Sequence, residues 1–385
     1  MKKKFFLNII AALLLLSPVK LLSQWAIMYA DADSLVRTGA DFIYNTEFDK
    51  AQNSFNQVID KYPDQPAGYF LSAMIEWWKL TLERESEVFD DDFIKKINKV
   101  ITVCDGLLEE NPKDLKALFF KAGAIGYRAR YYTQEKSWIK AATDGSEAFE
   151  LMMECHKIAP GNHDIMLGTG IYNYFAEAIP EKYPFTKPML FFLPPADKEI
   201  GILQLKAASE RARYAAIEAK VVLLQIFYSF ERDNSEAFKI AEELHNNYPQ
   251  NAYFHRYYGR ILVRLGRTQQ FEKVWRDITI KALDNEFGYD RKTAREALYY
   301  VGYALMRQKK YKAALKYFYK CDEACRKIDD EPSGFMVETN LNIGKIYERQ
   351  GKTKYAIMQY KKLLGMDEYN NSHKKAEARL NRLQN

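Results

Sequence analysis

The feature that most constrains this chain is a spacing that keeps returning. A glycine stands twelve residues before an alanine at Gly39 and Ala51, at Gly302 and Ala314, and at Gly344 and Ala356. Prolines close segments at Pro63, Pro112, Pro160 and Pro249, each twelve residues after Ala51, Val100, Ala148 and Ala237. Two antiparallel helices joined by a tight turn approach closely only where small residues face each other, and a proline just past the second helix stops it. A chain built this way folds as stacked helix pairs, and each pair needs its neighbours because no single pair buries its own apolar face.

The apolar residues around these anchors fall at three-and-four spacing, as amphipathic helices require. Leu35, Phe42, Ala51, Phe55 and Val58 make one stripe over two helices, with Asn45 and Glu47 in the turn between. The layout recurs as Leu298, Gly302, Leu305, Ala314, Phe318 and Cys321, and again as Ile343, Gly344, Tyr347, Ala356, Tyr360 and Leu363. Eight repeats follow, near 32–65, 66–114, 115–162, 163–217, 218–251, 252–294, 295–336 and 337–370, with a polar terminal helix over 371–385 capping the stack. The second and third repeats are longer than the rest by about two helical turns in each helix. In the fourth, Pro180, Pro184, Pro188, Pro194 and Pro195 predict a loop.

With these residues in place, the chain resembles the tetratricopeptide superfamily: 34-residue helix-turn-helix units with a small residue in the first helix, alanine in the second and proline at the end. The resemblance covers about residues 32 to 370. It implies an all-α, right-handed α-solenoid of antiparallel helix pairs whose first helices line the inner, concave face. Asn162 to Tyr174, Pro195 to Gly201 and Ala215 to Pro249 are also similar to a group of exported bacterial tetratricopeptide proteins without assigned function. Arg260 stands where the family's carboxylate clamp for chaperone tails expects asparagine, so chaperone docking is not implied.

The N-terminus reads as an address. Three lysines precede Phe5 to Leu16, apolar except for Asn8, and Ser17, Pro18 and Ser23 end the run, as in a secretory signal cleaved after Ser23. Cleavage makes the protein periplasmic or exported; an uncleaved segment stays as an N-terminal anchor. Removing its four lysines from the 57 basic residues leaves 53 against 51 acidic ones. A body this near neutral lacks the basic excess of a nucleic-acid binder. After residue 23 no apolar run is long enough to span a membrane.

Two features look specific. On the inward positions of the first helices, Phe70, Met74, Trp77, Trp78, Phe119, Tyr127, Tyr174 and Phe175 form an aromatic stretch. Arg256, Arg260 and Arg264, four apart on one helix face, follow beside Tyr253, Tyr299 and Tyr303. The rings serve either as packing between repeats or as a groove lining. The arginines either meet local acids such as Glu272 or Asp277, or face an acidic ligand whose carboxylates their planar forks match. The second feature is the apolar run Met189, Leu190, Phe191, Phe192 and Leu193 between prolines, which either folds onto the solenoid or touches a partner or membrane.

Chemistry is thin by comparison. No zinc-protease His pair, nucleophile elbow, Walker loop or Cys-x-x-Cys is present, so no catalytic, metal or cofactor residue is assigned. Cys104, Cys155, Cys321 and Cys325 read as buried thiols. The expected function is a non-catalytic interaction scaffold of the bacterial cell envelope, holding a peptide or partner helix along the concave groove. The alternative is a glycan-handling or cell-wall enzyme with an aromatic-lined site near Trp77 and Tyr174.

Overall fold

The computed structural model describes residues 28–190 and 194–384. The signal segment lies outside them, as do Phe191, Phe192 and the side chain of Leu190 from the proline-bracketed run. Among the described residues there is no strand. Helices follow one another in pairs: α1 (Asp33–Tyr44) and α2 (Phe48–Lys61), α3 (Pro66–Leu82) and α4 (Asp90–Glu110), α5 (Leu115–Gln134) and α6 (Trp138–Ile158). Next come α7 (His163–Lys182), a short α8 (Lys187–Leu190) and α9 (Lys198–Arg211), then α10 (Ala216–Ser229) and α11 (Asn234–Asn247), α12 (Ala252–Arg264) and α13 (Thr268–Leu283). The chain ends with α14 (Arg291–Arg307) and α15 (Tyr311–Ile328), α16 (Gly334–Arg349) and α17 (Thr353–Leu364), and α18 (Ser372–Gln384). The extra length of the second and third pairs is in their helices, which run 17 to 21 residues against 12 and 14 in the first. Two compact bodies emerge: residues up to 80 with 87–240, and residues 81–86 with 241 onward.

The recurring glycine has a physical reason visible in both bodies. A Cβ at Gly39 would stand 2.4 Å from the Phe55 ring, at Gly259 2.9 Å from Trp275, at Gly302 3.0 Å from Phe318, and at Gly344 2.4 Å from Tyr360. In all four the ring sits sixteen residues on, in the second helix, and is wholly buried. The first helix gives up a side chain so that the second can lay a flat ring against its backbone.

Turns between paired helices repeat as closely. Thr46, Lys136, Gly266, Lys309 and Gly351, each two residues past a first helix, all have φ between 56° and 70°. The next amide then reaches back to the first helix: Glu47 to the Phe42 carbonyl at 2.8 Å, Lys310 to Leu305 at 2.9 Å, Lys352 to Tyr347 at 2.9 Å. This is a left-handed helix stop, which glycine adopts freely and other residues adopt at a cost. Five first helices begin differently, on side-chain caps: Asp114, Asn162, Asn251, Asp290 and Ser333 each accept from an amide of the following first turn.

The fourth pair departs from the expected loop. Pro180 lies inside α7, in its last turn, where it forgoes an amide bond to the Ala176 carbonyl, and the irregular stretch starts at Tyr183 rather than at Pro180. Beyond α9, residues 213–215 are pinned twice. Buried Asp164 accepts the amides of Arg213, Tyr214 and Ala215 at 3.3, 2.8 and 2.8 Å. Asp33, at the start of α1, accepts the Arg213 guanidinium at 2.6 and 2.7 Å and the Tyr214 hydroxyl at 3.0 Å, and this pairing holds its carboxyl below the usual range. The first and fifth first-helices of this body therefore lie within reach of each other.

Two substitutions test this account by urea denaturation. Gly344→Val drives a branched side chain into the Tyr360 ring, and we expect a loss of about 1–3 kcal/mol. Lys309→Gly relieves a left-handed residue that makes no use of its side chain there, and we expect a gain of about 0.5–1 kcal/mol.

Candidate interaction surface

The aromatic stretch predicted for the first body is brought together, but turned inward. Trp77, Trp78 and Tyr174 are buried, while Phe70 and Tyr127 are half-buried. Tyr127 lies between Phe70 (centroids 6.1 Å apart) and Trp77 (5.2 Å), and Trp77 continues to Phe93 at 5.6 Å. Tyr174 belongs to a separate group with Phe175 and Phe230, at 5.1 and 5.9 Å, and its hydroxyl donates to Glu231 at 2.6 Å. The polar ends of the other rings meet at Glu218 on α10. Its carboxylate accepts from Trp78 Nε1 at 2.9 Å and from the Tyr44 hydroxyl at 3.2 Å. Burial first, and then Glu218, push the Tyr127 hydroxyl far above its ordinary range. Sequence reasoning missed Glu218; its one signal was an acid in the first turn of a helix that is apolar from Ala216 to Phe227 but for Glu218, Lys220 and Gln225.

The arginine stripe of the second body is not one open face. Arg256 is 2 % exposed; its Nη1 donates to the Gly288 carbonyl at 2.6 Å and Thr293 Oγ1 at 3.2 Å, and its Nη2 to the Thr81 carbonyl at 3.4 Å. Burial, and after it Arg84 and Arg260, pull its pKa down. Arg260 forms a bidentate pair with Glu296, both bonds 2.6 Å. Arg84, from the segment that groups with this body, donates to Asp290 at 3.1 Å and Thr293 at 2.7 Å and lies 3.9 Å from Glu296. Burial would raise Glu296, but Arg260 and then Arg84 and Arg256 outweigh it and hold the carboxyl low. The local acids expected for the stripe, Glu272 and Asp277, are engaged elsewhere: Glu272 with Arg276, and Asp277 at 3.8 Å from His255 Nε2. Tyr253 is buried as well, so of the stripe only Arg264 is exposed.

A different row of arginines replaces the one expected. Gly259, Gly302 and Gly344 mark the same register on α12, α14 and α16, and five residues after each stands an exposed arginine: Arg264, Arg307 and Arg349. Each lies four residues beyond Arg260, Tyr303 or Lys345, hence on the same helix face. Tyr303 is half-buried, parallel to Tyr299 at 6.3 Å, with Arg307 over its ring at 5.9 Å. Asn342 donates to the Tyr299 hydroxyl at 3.4 Å and accepts from Lys345 at 3.1 Å. The face offers charged forks and ring surface on the first helices of three successive repeats, with the buried Asn342 amide behind them.

No group of metal-ligating side chains occurs among the described residues. All four cysteines are buried free thiols, and burial pushes those of Cys104 and Cys155 up to about 12. No described helix is long and apolar enough to cross a membrane.

Residues 33–64 match the family model described as tetratricopeptide repeat. No curated protein matches the chain. Among solved structures it is similar to a human IFIT1 dimer with PPP-AAAA, at 10% identity over 89% of this chain and 71% of that one, with a TM-score of 0.36. It is also similar to an APC/C hetero-tetramer, Cut9-Hcn1, at 12% identity over 90% and 62%, with a TM-score of 0.46.

Near the arginines, His255 is buried, bonded through Nδ1 to the Tyr289 hydroxyl at 3.0 Å and stacked on His245 at 4.7 Å. Burial, then His245, Lys281 and Arg256, lower its pKa from 6.5 to about 3. The unfolded chain therefore takes up this proton first, and stability present above pH 6.5 is lost as pH falls from 6.5 towards 3. Urea midpoints measured across that window should fall on acidification, and His255→Asn should flatten the dependence while lowering stability throughout.

Proposed function

We propose that this α-solenoid of tetratricopeptide-like helix pairs is a non-catalytic protein-interaction scaffold of the cell envelope, holding an acidic extended peptide along the first helices of its second body. The observation that carries this reading is the register of Arg264, Arg307 and Arg349, exposed at one position of three successive repeats. Repeats stack at a helix-packing distance of about 8–10 Å, so charges in register recur at intervals that an extended peptide meets with every third residue or so. Guanidinium forks pair with carboxylates, and the half-buried faces of Tyr299 and Tyr303 supply apolar contact between them.

Arg256 and Arg260 contribute from behind. Their bonds to Gly288 and Glu296 fix α12 against the start of α14, which sets the spacing of the row. Export to the envelope rests on the sequence of residues 1–23. The near-neutral body favours a protein ligand over nucleic acid. The glycan-handling alternative drew on the rings of Trp77 and Tyr174, and both are packed inside the first body.

The test is fluorescence anisotropy with a labelled glutamate-rich peptide at low salt. We expect Arg307→Glu and Arg349→Glu each to weaken binding about tenfold, or about 1.4 kcal/mol, with melting temperatures unchanged. Affinity should also drop as salt rises. Equal binding by wild type and the double variant would remove the row from function, and an RNA oligonucleotide that binds more tightly than the peptide would replace the reading.

A further inference from the structure

The first body carries an apolar edge that its described packing leaves uncovered. At the turn from α5 into α6, Trp138 is 41% and Ile139 75% exposed; just past α7, Tyr183 is 43% and Phe185 59% exposed. These are not scattered residues. The Phe185 ring meets Trp138 at 5.9 Å and 78°, and Tyr183 at 6.2 Å and 61°, so two segments distant in sequence build one cluster of rings. Ile200 and Leu203, at 48% and 66% exposed, lie in the first turns of α9, whose start is tied to the end of α7 by Lys198 bonds to Glu177 and Glu181 at 2.9 and 3.0 Å.

The charges beside the rings are mostly basic, with Glu135 the exposed acid in the turn that carries Trp138. Lys136, Lys140 and Lys187 are exposed, and no ion pair joins them to a carboxylate among the described residues. Of the nearby acids, Glu181 is held by Lys198. Rings at the tips of turns, rather than along a groove or a helix face, suit a soft layer better than a shaped partner. Amphipathic tryptophan and tyrosine with a lysine rim settle at the boundary between headgroups and acyl chains. In sequence the chain runs on from Lys187 into the apolar stretch Met189 to Leu193, though the cluster stands without it.

We propose that Trp138, Ile139, Tyr183 and Phe185 form a peripheral docking edge for an anionic bilayer surface, the side chains entering the headgroup layer while Lys136, Lys140 and Lys187 meet lipid phosphates. Each lysine near such a surface adds electrostatic attraction, and the burial of two or three apolar side chains adds the rest. The edge belongs to the first body and is independent of the arginine row on the second.

The experiment uses the full chain and vesicles of phosphatidylcholine with phosphatidylglycerol, some carrying brominated acyl chains that quench tryptophan at close range. The N-terminal apolar segment can bind vesicles by itself, so the decisive quantity is the difference between wild type and Trp138→Phe. Bromolipid should quench a component in wild type that Trp138→Phe lacks. The Ile139→Glu, Phe185→Glu double variant, at matched helicity, should lose that Trp138 quenching and bind at least about tenfold more weakly. Pure phosphatidylcholine should also bind more weakly. Equal quenching in wild type and Trp138→Phe would overturn the proposal. So would a double variant that changes oligomeric state by light scattering while vesicle binding stays the same, since the edge would then be a protein interface.

Discussion

The structure depends on one contact, a bare glycine backbone against a flat aromatic ring, repeated between paired helices. Phe55, Trp275, Phe318 and Tyr360 each occupy the space that a first-helix side chain would take, and all four are buried. Glycine within a helix costs about 0.5–1 kcal/mol relative to alanine, and burying a large ring returns about 1.5–3 kcal/mol. The exchange is favourable only if the ring sits flat against the backbone, which fixes both the distance between the helices and their register. Everything on the face opposite the contact inherits that register, including the position five residues after each glycine.

Where packing alone does not fix the geometry, buried charges do. Asp164 holds three consecutive amides ahead of α10, and Arg256, Arg84 and Arg260 share Asp290, Glu296 and backbone carbonyls at the base of α12 and α14. Such groups give little net stability when complete, but losing one partner strands a charge, at a cost of about 3–5 kcal/mol. They specify one arrangement of loops that the apolar contacts would leave loose. This explains why arginines on a shared helix face have different fates. Arg256 is drawn in by Gly288 and Thr293, Arg260 is saturated by Glu296, and Arg264, one turn further on, reaches the surface.

The same division runs through the aromatic residues. Trp77 and Trp78 share a helix with the buried Ala73, Met74, Ile75 and Leu82, and α10 brings Glu218 to the indole Nε1–H of Trp78, so the ring can be buried without stranding its donor. Tyr174 finds Glu231 in the same way. Trp138 begins a second helix at a turn, where the Phe185 ring covers it only in part, and it remains exposed.

By itself the sequence determined the helices, their pairing and the positions of closest approach, because these follow from spacing within about twenty residues: Gly39 to Phe55, Gly302 to Phe318, Gly344 to Tyr360. It also marked which arginines and rings lie on first helices. Only the tertiary structure decided which of those reach the surface. That depends on partners far along the chain: Glu218 meets Trp78 across 140 residues, Arg213 meets Asp33 across 180, and Arg84 meets Asp290 across 206. Local spacing sets which way a side chain points. Whether it meets solvent or a buried carboxylate is settled within each body by residues that return from far along the chain, which local spacing does not encode.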